Sequence, residues 1–319
     1  MALLLTEQDV IQLFPMECAL ERVEASFRAQ HGGRAANRPR ERIFLPHLSF
    51  HYMAAAIPEE NILGMKVYTV TRGAFRFVVL LFDAEGGDLL ALIEADHLGR
   101  IRTGAASGVA TKFMARENAA QVGLIGTGRQ ARTQLEAVAA VRKLAQVKVF
   151  SRSEEHRRKF SHETSEKLGV KVEPTESAEA AARFGDIVIT ATNASQPVIQ
   201  GKWLRPGTHL NVIGANVVNR REVDERTLEL ADTIAVDSLE QARKEAGDLI
   251  QGLNGQTQSW NDVVELHEIV CGGRAGRKSA DEITLFKSCG IALWDVAAAG
   301  YIYRRAVAQG KGKEIEFCL

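Results

Sequence analysis

The chain has 319 residues, and its 40 Lys and Arg balance 40 Asp and Glu. At roughly 150 residues per domain this length suggests two domains, and the cancelled charge argues against a dedicated nucleic-acid binder. With 45% hydrophobic and 25% charged residues, the composition excludes an intrinsically disordered chain. Its longest clean apolar run, Phe77 to Phe82, falls far short of the about 20 residues of a membrane helix. The opening MALLLTEQD lacks a basic n-region, so no signal peptide is expected and a cytoplasmic protein is. Cys18, Cys271, Cys289 and Cys318 form no C-x-x-C pair and are expected to be free thiols. The histidines show no ligand spacing, so no metal site is expected.

In chain order, residues 5–30 read as two helices. Thr6 with Asp9 fits a capping box, and Pro15 can open the second helix at its first turn. Ala19, Val23 and Phe27 then fall on one helix face. His31 to Pro39 reads as a loop. Five β-like runs follow: Arg42–Leu45, Phe50–Ala56, Gly64–Val70, Phe75–Phe82 and Leu89–Glu94. Turn segments separate them, which predicts an antiparallel sheet. The small residues of Thr103–Met114 predict a tightly packed helix linking two lobes.

After Asn118 strands and helices alternate. Strands are expected at Gln121–Ile125, Val147–Phe150, Val170–Val172, Ile187–Ala191, His209–Ile213 and Thr233–Val236, with helices at Ala131–Val141 and His156–Leu168. This rhythm predicts a doubly wound parallel sheet. The last 70 residues read as helical around a polar loop at Gly272–Ser279, with Glu314–Cys318 as a closing strand.

The sharpest local signal is VGLIGTGRQA, Val122 to Ala131, the G-x-G-x-x-A form of the dinucleotide fingerprint. Gly126 would make the tight turn, Gly128 would let the backbone approach a pyrophosphate, and Ala131 would let the helix pack on the sheet. The phosphates would sit on a helix N-terminus. The alternative is a plain glycine turn, but the strand before and the helix after favour the cofactor. An NAD site places an acid at the end of the second strand; here Ser151, Arg152 and Ser153 stand instead. Serine removes a repulsion and arginine can pair with a 2′-phosphate. NADP is therefore expected, with NAD as the alternative if Glu154 serves the ribose.

Arg42, Lys66, Arg76 and Arg102 stand out before Thr103. Lys66 lies in the apolar run ILGMKVYTV, where a charge is costly unless paired. Cations gathered in this part of the chain suit a substrate carboxylate. The competing reading of each is an ordinary salt bridge, and it is preferred for Arg76. His209, in an expected core strand, reads as a core histidine.

Several motifs together resemble the ornithine cyclodeaminase/mu-crystallin family, which also contains an archaeal-type alanine dehydrogenase and ketimine reductases. They are GMKVYT (Gly64–Thr69), LFDAEGGDLLALIEA (Leu81–Ala95), RTGAASGVATKFMAR (Arg102–Arg116), VGLIGTGRQA, GTHLNVIGAN with RREVD (Gly207–Asn216, Arg220–Asp224) and DEITLFKSCGIALWDVAAA (Asp281–Ala299). The resemblance implies an α/β fold: a Rossmann domain at 113–295, and a second α+β lobe from 1–112 plus 296–319 for substrate binding and dimerisation. A homodimer is expected because apolar strands such as Phe77–Phe82 need cover. By the same resemblance, Arg42, Lys66 and Arg102 match substrate-carboxylate and catalytic positions. Arg102 and Thr103 match a pair near the cofactor phosphates. Gly126, Gly128, Arg129 and Gln130 match the pyrophosphate turn, and Ser288, Cys289 and Gly290 match the segment near the nicotinamide.

Two positions depart from the family pattern. Cyclodeaminases and the archaeal-type alanine dehydrogenase resemble each other in an Asp where this chain has Asn216, and Arg76 stands where the family often has Thr. An amide cannot act as the general base that cyclodeamination needs. The expected activity is therefore NAD(P)-dependent oxidoreduction of the C–N bond in a small carboxylate-bearing amino or imino acid. Arg42 and Arg102 would hold the carboxylate, while Lys66 and Asn216 would serve the chemistry. A cyclodeaminase-type lyase and a non-catalytic NADP or small-ligand binder are the rival expectations.

Overall fold

A computed structural model describes residues 1–253 and 258–316. The chain begins with β1 (Ala2–Leu5), α1 (Glu7–Leu13) and α2 (Met16–His31). Strands β2 (Ala36–Asn37), β3 (Glu41–Phe44), β4 (Leu48–Ile57), β5 (Ile62–Thr71), β6 (Phe75–Asp83) and β7 (Leu89–Glu94) follow, then α3 (Asp96–Met114). The next stretch runs β8 (Gln121–Ile125), α4 (Arg129–Val141), β9 (Gln146–Phe150), α5 (Glu154–Leu168), β10 (Lys171–Pro174), α6 (Ala178–Phe184), β11 (Ile187–Thr190) and β12 (His209–Val212). It continues with α7 (Glu225–Leu230), β13 (Thr233–Val236), α8 (Leu239–Glu245), α9 (Gly247–Gly252), β14 (Val263–Glu265), α10 (Leu266–Val270) and β15 (Thr284–Lys287). Helix α11 (Ala292–Gln309) and β16 (Lys313–Ile315) end it.

Two compact units result, Met1–Thr103 with Gly290–Leu319, and Gly104–Cys289. The division falls inside α3 rather than at its end, because the small-residue helix begins at Asp96, seven residues before the expected Thr103.

The first unit is an eight-stranded sheet ordered β16-β1-β7-β6-β5-β4-β2, with β3 also on β4. All its pairs are antiparallel except β1 with β7. The capping box at Thr6 forms with both of its bonds. Pro15 is the N-cap of α2 rather than part of its first turn. Helix α11 covers the sheet, and its buried Trp294 meets Phe27 of α2 edge-on at 5.5 Å. Burial of such aromatic surface is the main stabilising term available to this layer.

The second unit is an eight-stranded, wholly parallel sheet ordered β10-β9-β8-β11-β12-β15-β13-β14. The order reverses between β8 and β11, the switch point at which such sheets bind ligands beyond their strand ends. Its inner strands β11, β12 and β15 are buried along their whole length, as strands covered on both faces are. Gly123 in β8 shows how close those layers lie: a Cβ there would sit 2.1 Å from the Ala181 carbonyl oxygen of α6.

The reading of the last 70 residues as helical needs correction. Strands β14 and β15 lie there, and β15 is central to the sheet. Of the closing strand, β16 ends at Ile315; Phe317 and Cys318 lie outside the described residues. Cys18, Cys271 and Cys289 are free thiols.

Candidate active site

The first unit gathers charge on one face of its sheet. Residues paired directly across neighbouring strands share a face, and residues two apart along a strand do so too. Arg42, His51, Tyr68 and Phe77 are paired in succession across β3, β4, β5 and β6. Lys66, two residues from Tyr68, shares their face. Arg76 pairs with Thr69 and falls on the opposite, exposed face, so it does not join this group.

Lys66 is 3% exposed. Its Nζ donates to Asp295 Oδ1 at 2.8 Å and lies 5.2 Å from the centre of the Phe77 ring. Gly99 leaves it room: a Cβ there would come within 2.9 Å of Nζ. Burial lowers the Lys66 pKa to about 8; Asp295 opposes the fall, while Arg102 and Arg40 add to it. Arg102 on α3 donates from Nε to the same Asp295 oxygen at 3.0 Å, and its guanidinium lies over Trp294. Its Nη1 is buried and has no hydrogen-bond partner among the described residues. The Thr103 hydroxyl donates to the Gly99 carbonyl, one turn back along α3.

Three residues of this face were not singled out from the sequence. Arg40 is buried and donates from Nη2 to the Gly290 carbonyl at 3.0 Å. His51 stacks on Tyr68 with ring centres 4.4 Å apart, and its Nε2 is 2.7 Å from Ser49 Oγ. Burial, then Arg42 and Arg40, lower its pKa to about 4, so the imidazole is neutral at pH 7. Asp295 is the third. A charged residue inside the apolar run ALWDVAAA is the same signal that marked Lys66, and it could have found Asp295.

The second unit carries the phosphate turn. Gly126 has φ 109°, and a Cβ would meet the Ala191 carbonyl oxygen at 2.4 Å. Gly128 caps α4, and a Cβ there would meet nothing within 4 Å. The space over Gly128 is thus open, as close approach of a pyrophosphate requires. Arg129 and Gln130 form the first turn of α4, where unpaired N–H groups favour an anion. At the end of β9, Ser151 Oγ donates to the Ser153 carbonyl and buried Arg157 donates to the Ser151 carbonyl at 2.9 Å. Arg152 is exposed, whereas Glu154 is engaged by Arg158 at 2.7 Å.

Asn216 sits on the loop after β12, and buried charges hold that loop. Glu222 accepts from Gly214 N–H at 2.6 Å and from Thr190 and Thr192. Lys287 donates to the Ala215 carbonyl and pairs with Asp248 at 3.0 Å. Asp248 also accepts the Glu222 and Val223 N–H groups. Burial opposes the Lys287 charge, but Asp248, Cys289 and Glu222 outweigh it and raise its pKa; burial raises that of Glu222. Ser288 donates to Asp237, which also accepts the Cys289 N–H. Gly290, in the first unit, has φ 80°. His209 is fully buried with Nδ1 2.9 Å from Thr284 Oγ1, a core histidine.

A sequence model described as the ornithine cyclodeaminase/mu-crystallin family matches residues 1–310. The chain belongs to this family. Among relatives, a Delta(1)-pyrroline-2-carboxylate reductase of Bacillus cereus is 40% identical over 263 residues, 80% of this chain and 81% of that protein. The structure of Thermococcus litoralis Delta(1)-pyrroline-2-carboxylate reductase with NADH and L-proline superposes with a TM-score of 0.93 at 36% identity, covering 98% of this chain and 100% of the other. An archaeal alanine dehydrogenase dimer with bound NAD does so with a TM-score of 0.93 at 32% identity, covering 99% of each. This member of the ornithine cyclodeaminase/mu-crystallin family is an NAD(P)-dependent oxidoreductase acting on the C–N bond of a small amino or imino acid. Among the described residues no helix is long and apolar enough to cross a membrane, and no group of three or more His, Cys, Asp or Glu could hold a metal ion.

The lowered pKa of His51 has a consequence for stability. In the unfolded chain His51 takes up a proton near pH 6.5; in the folded protein it does so near 4. Stability is therefore lost as pH falls from 6.5 to 4, by up to about 3 kcal/mol. Scanning calorimetry at pH 7 and 4.5 should show His51→Gln losing less melting temperature on acidification than the parent. An equal loss in both proteins would refute the assignment.

Proposed function

We propose that the chain reduces the C=N bond of a cyclic 2-imino acid of the pyrroline-2-carboxylate class, with NADPH preferred over NADH. The observation that carries this reading is a buried lysine, its pKa brought to about 8, on the sheet face that carries Arg42 and joined to Arg102 through Asp295. That is a proton donor tuned near neutral pH beside groups suited to a carboxylate. The open cradle over Gly128 and the N-terminus of α4 fit the cofactor pyrophosphate, and Gly126, Gly128, Arg129 and Gln130 would hold it. Ser151 and Arg152 would face the 2′-phosphate, and Ser288 and Gly290 the nicotinamide end. When bound, the reduced cofactor supplies a hydride, two electrons and one proton nucleus, to the imine carbon.

The chain's own residues do the rest. Arg42 and Arg102 hold the substrate carboxylate, and Thr103, next to Arg102 in the chain, would serve the cofactor phosphates. Lys66 Nζ gives a proton to the imine nitrogen as the C=N π bond breaks, leaving a C–H and an N–H bond. The lysine recovers its proton from solvent. Asn216 donates a hydrogen bond to the substrate nitrogen or to water, but takes no proton from an amine. That favours net reduction over cyclodeamination.

The direct test is NADPH oxidation with Δ1-pyrroline-2-carboxylate, forming L-proline. Turnover should occur, ornithine with catalytic NAD(P) should release little ammonia, and Asn216→Ala should slow reduction by roughly ten- to a hundredfold, the loss of one positioned hydrogen bond. Robust ammonia release from ornithine would defeat the reading.

Cofactor preference gives a separate measurement. Arg152→Asp removes a charge-assisted pair and adds a repulsion, about 2–3 kcal/mol. NADPH binding should weaken tens to hundreds of fold and NADH binding little. Equal affinities for both cofactors in the parent would contradict the preference.

A homodimer through the first unit completes the proposal. Ile43, Phe44, Leu45 and Phe75 are 51–75% exposed, an apolar surface of the kind that marks an interaction site. Light scattering at micromolar concentration should return twice the chain mass; the mass of one chain would count against it.

A further inference from the structure

We propose that Asp295 is the positioning residue of the Lys66 and Arg102 pair: its buried carboxylate keeps the Lys66 ammonium charged and fixes which edge of Arg102 is left for a substrate carboxylate. The inference rests on the reading of Lys66 as proton donor.

Asp295 lies on α11 and is 0% exposed. Oδ1 alone takes both bonds, from Lys66 Nζ at 2.8 Å and Arg102 Nε at 3.0 Å. Oδ2 is buried and accepts no hydrogen bond among the described residues. A carboxylate so placed is costly to bury unless cations compensate it, and the cations are equally costly without the carboxylate.

The groups facing Lys66 come from several elements. Arg102 on α3 and Arg40 before β3 both repel its charge. Phe77 on β6 offers a ring face. His51 on β4 is neutral above about pH 4. The group that offsets the repulsion is Asp295. Without it, desolvation and two arginines would act unopposed, and the lysine would surrender its proton at a lower pH.

The effect on Arg102 is geometric. A guanidinium carries five N–H bonds in one plane. With Nε committed to Asp295 and the guanidinium over Trp294 at 5.5 Å, the two Nη groups form the edge that the carboxylate does not hold. Nη1 is buried and has no hydrogen-bond partner among the described residues. Space beside it is kept by Gly290, where a Cβ would stand 2.7 Å from Nη1. The free edge is the one that pairs with a carboxylate.

The experiment compares the parent, Asp295→Asn, Lys66→Met and the double variant Lys66→Met/Asp295→Asn. Three readouts are taken: reductive turnover against pH, calorimetric affinity for L-proline, and stability against pH without cofactor. In the parent, turnover should fall through about pH 8. In the same window stability should rise with pH, because the unfolded lysine still binds a proton that the folded one has lost. In Asp295→Asn both midpoints should move down by about one pH unit or more, and L-proline should bind at least tenfold more weakly. Unchanged midpoints and unchanged L-proline affinity, with only a lower melting temperature, would reduce Asp295 to packing and overturn the proposal. If Asp295→Asn does not fold, the double variant decides: regained stability supports it, because the uncompensated lysine is gone, and none regained overturns it. Full turnover by Lys66→Met would remove Lys66 from the chemistry, while stability against pH would still read the pairing by itself.

Discussion

An acid and two cations meet at a single buried oxygen, and the first unit is organised around that meeting. Asp295 Oδ1 holds Lys66 and Arg102 together. In such surroundings none of the three charges could stay buried alone, since each would meet a desolvation cost of several kcal/mol. Helix α11 must therefore lie on the sheet where it does, with Trp294 packed on Phe27 and under the guanidinium. The apolar layer and the polar cluster specify the same placement, which is the consistency expected of a sequence with one native fold.

The second unit solves a different problem with similar means. The inner strands of its parallel sheet are buried along their whole length, and the loop after β12 carries Asn216. Glu222 and Lys287, the latter paired with Asp248, hold that loop by tying the two residues just before Asn216, Gly214 and Ala215. Charge is used here as a strut: a buried carboxylate takes the Gly214 N–H and a buried ammonium the Ala215 carbonyl. Ser288 and Cys289 are held in the same way by Asp237.

Much of this was legible in the sequence, for physical reasons that also explain the rest. β8 and its turn were plain because a buried apolar strand, two glycines and a helix signal are local. Lys66 and Arg102 were visible as charges in apolar or small-residue surroundings. Asp295 was equally visible by that rule, but its partners lie 229 and 193 residues away, and no periodicity links such distances. Arg40 and His51 are ordinary loop and strand residues until the β3–β4–β5 register aligns them. Strand β15 escaped because Thr284 and Lys287 flank only two apolar residues, and a central strand ending in a buried lysine has no periodic signature. Arg76 was separated from the other cations by strand parity alone, which sequence reading could have used once β5 and β6 were recognised.

The first unit is discontinuous: residues 1–103 are completed by 290–319. During synthesis the sheet strands bearing Lys66 emerge long before α11 exists. The second unit is one unbroken stretch and can close as soon as Cys289 has left the ribosome, in keeping with domains folding as units in order of synthesis. Until residue 295 emerges, the lysine has no acid to pair with and must stay hydrated. Burial of the charged face of the first sheet is therefore a late act of folding, and a chain cut short before α11 would keep its parallel sheet while leaving the amino-terminal strands with their charged face in water.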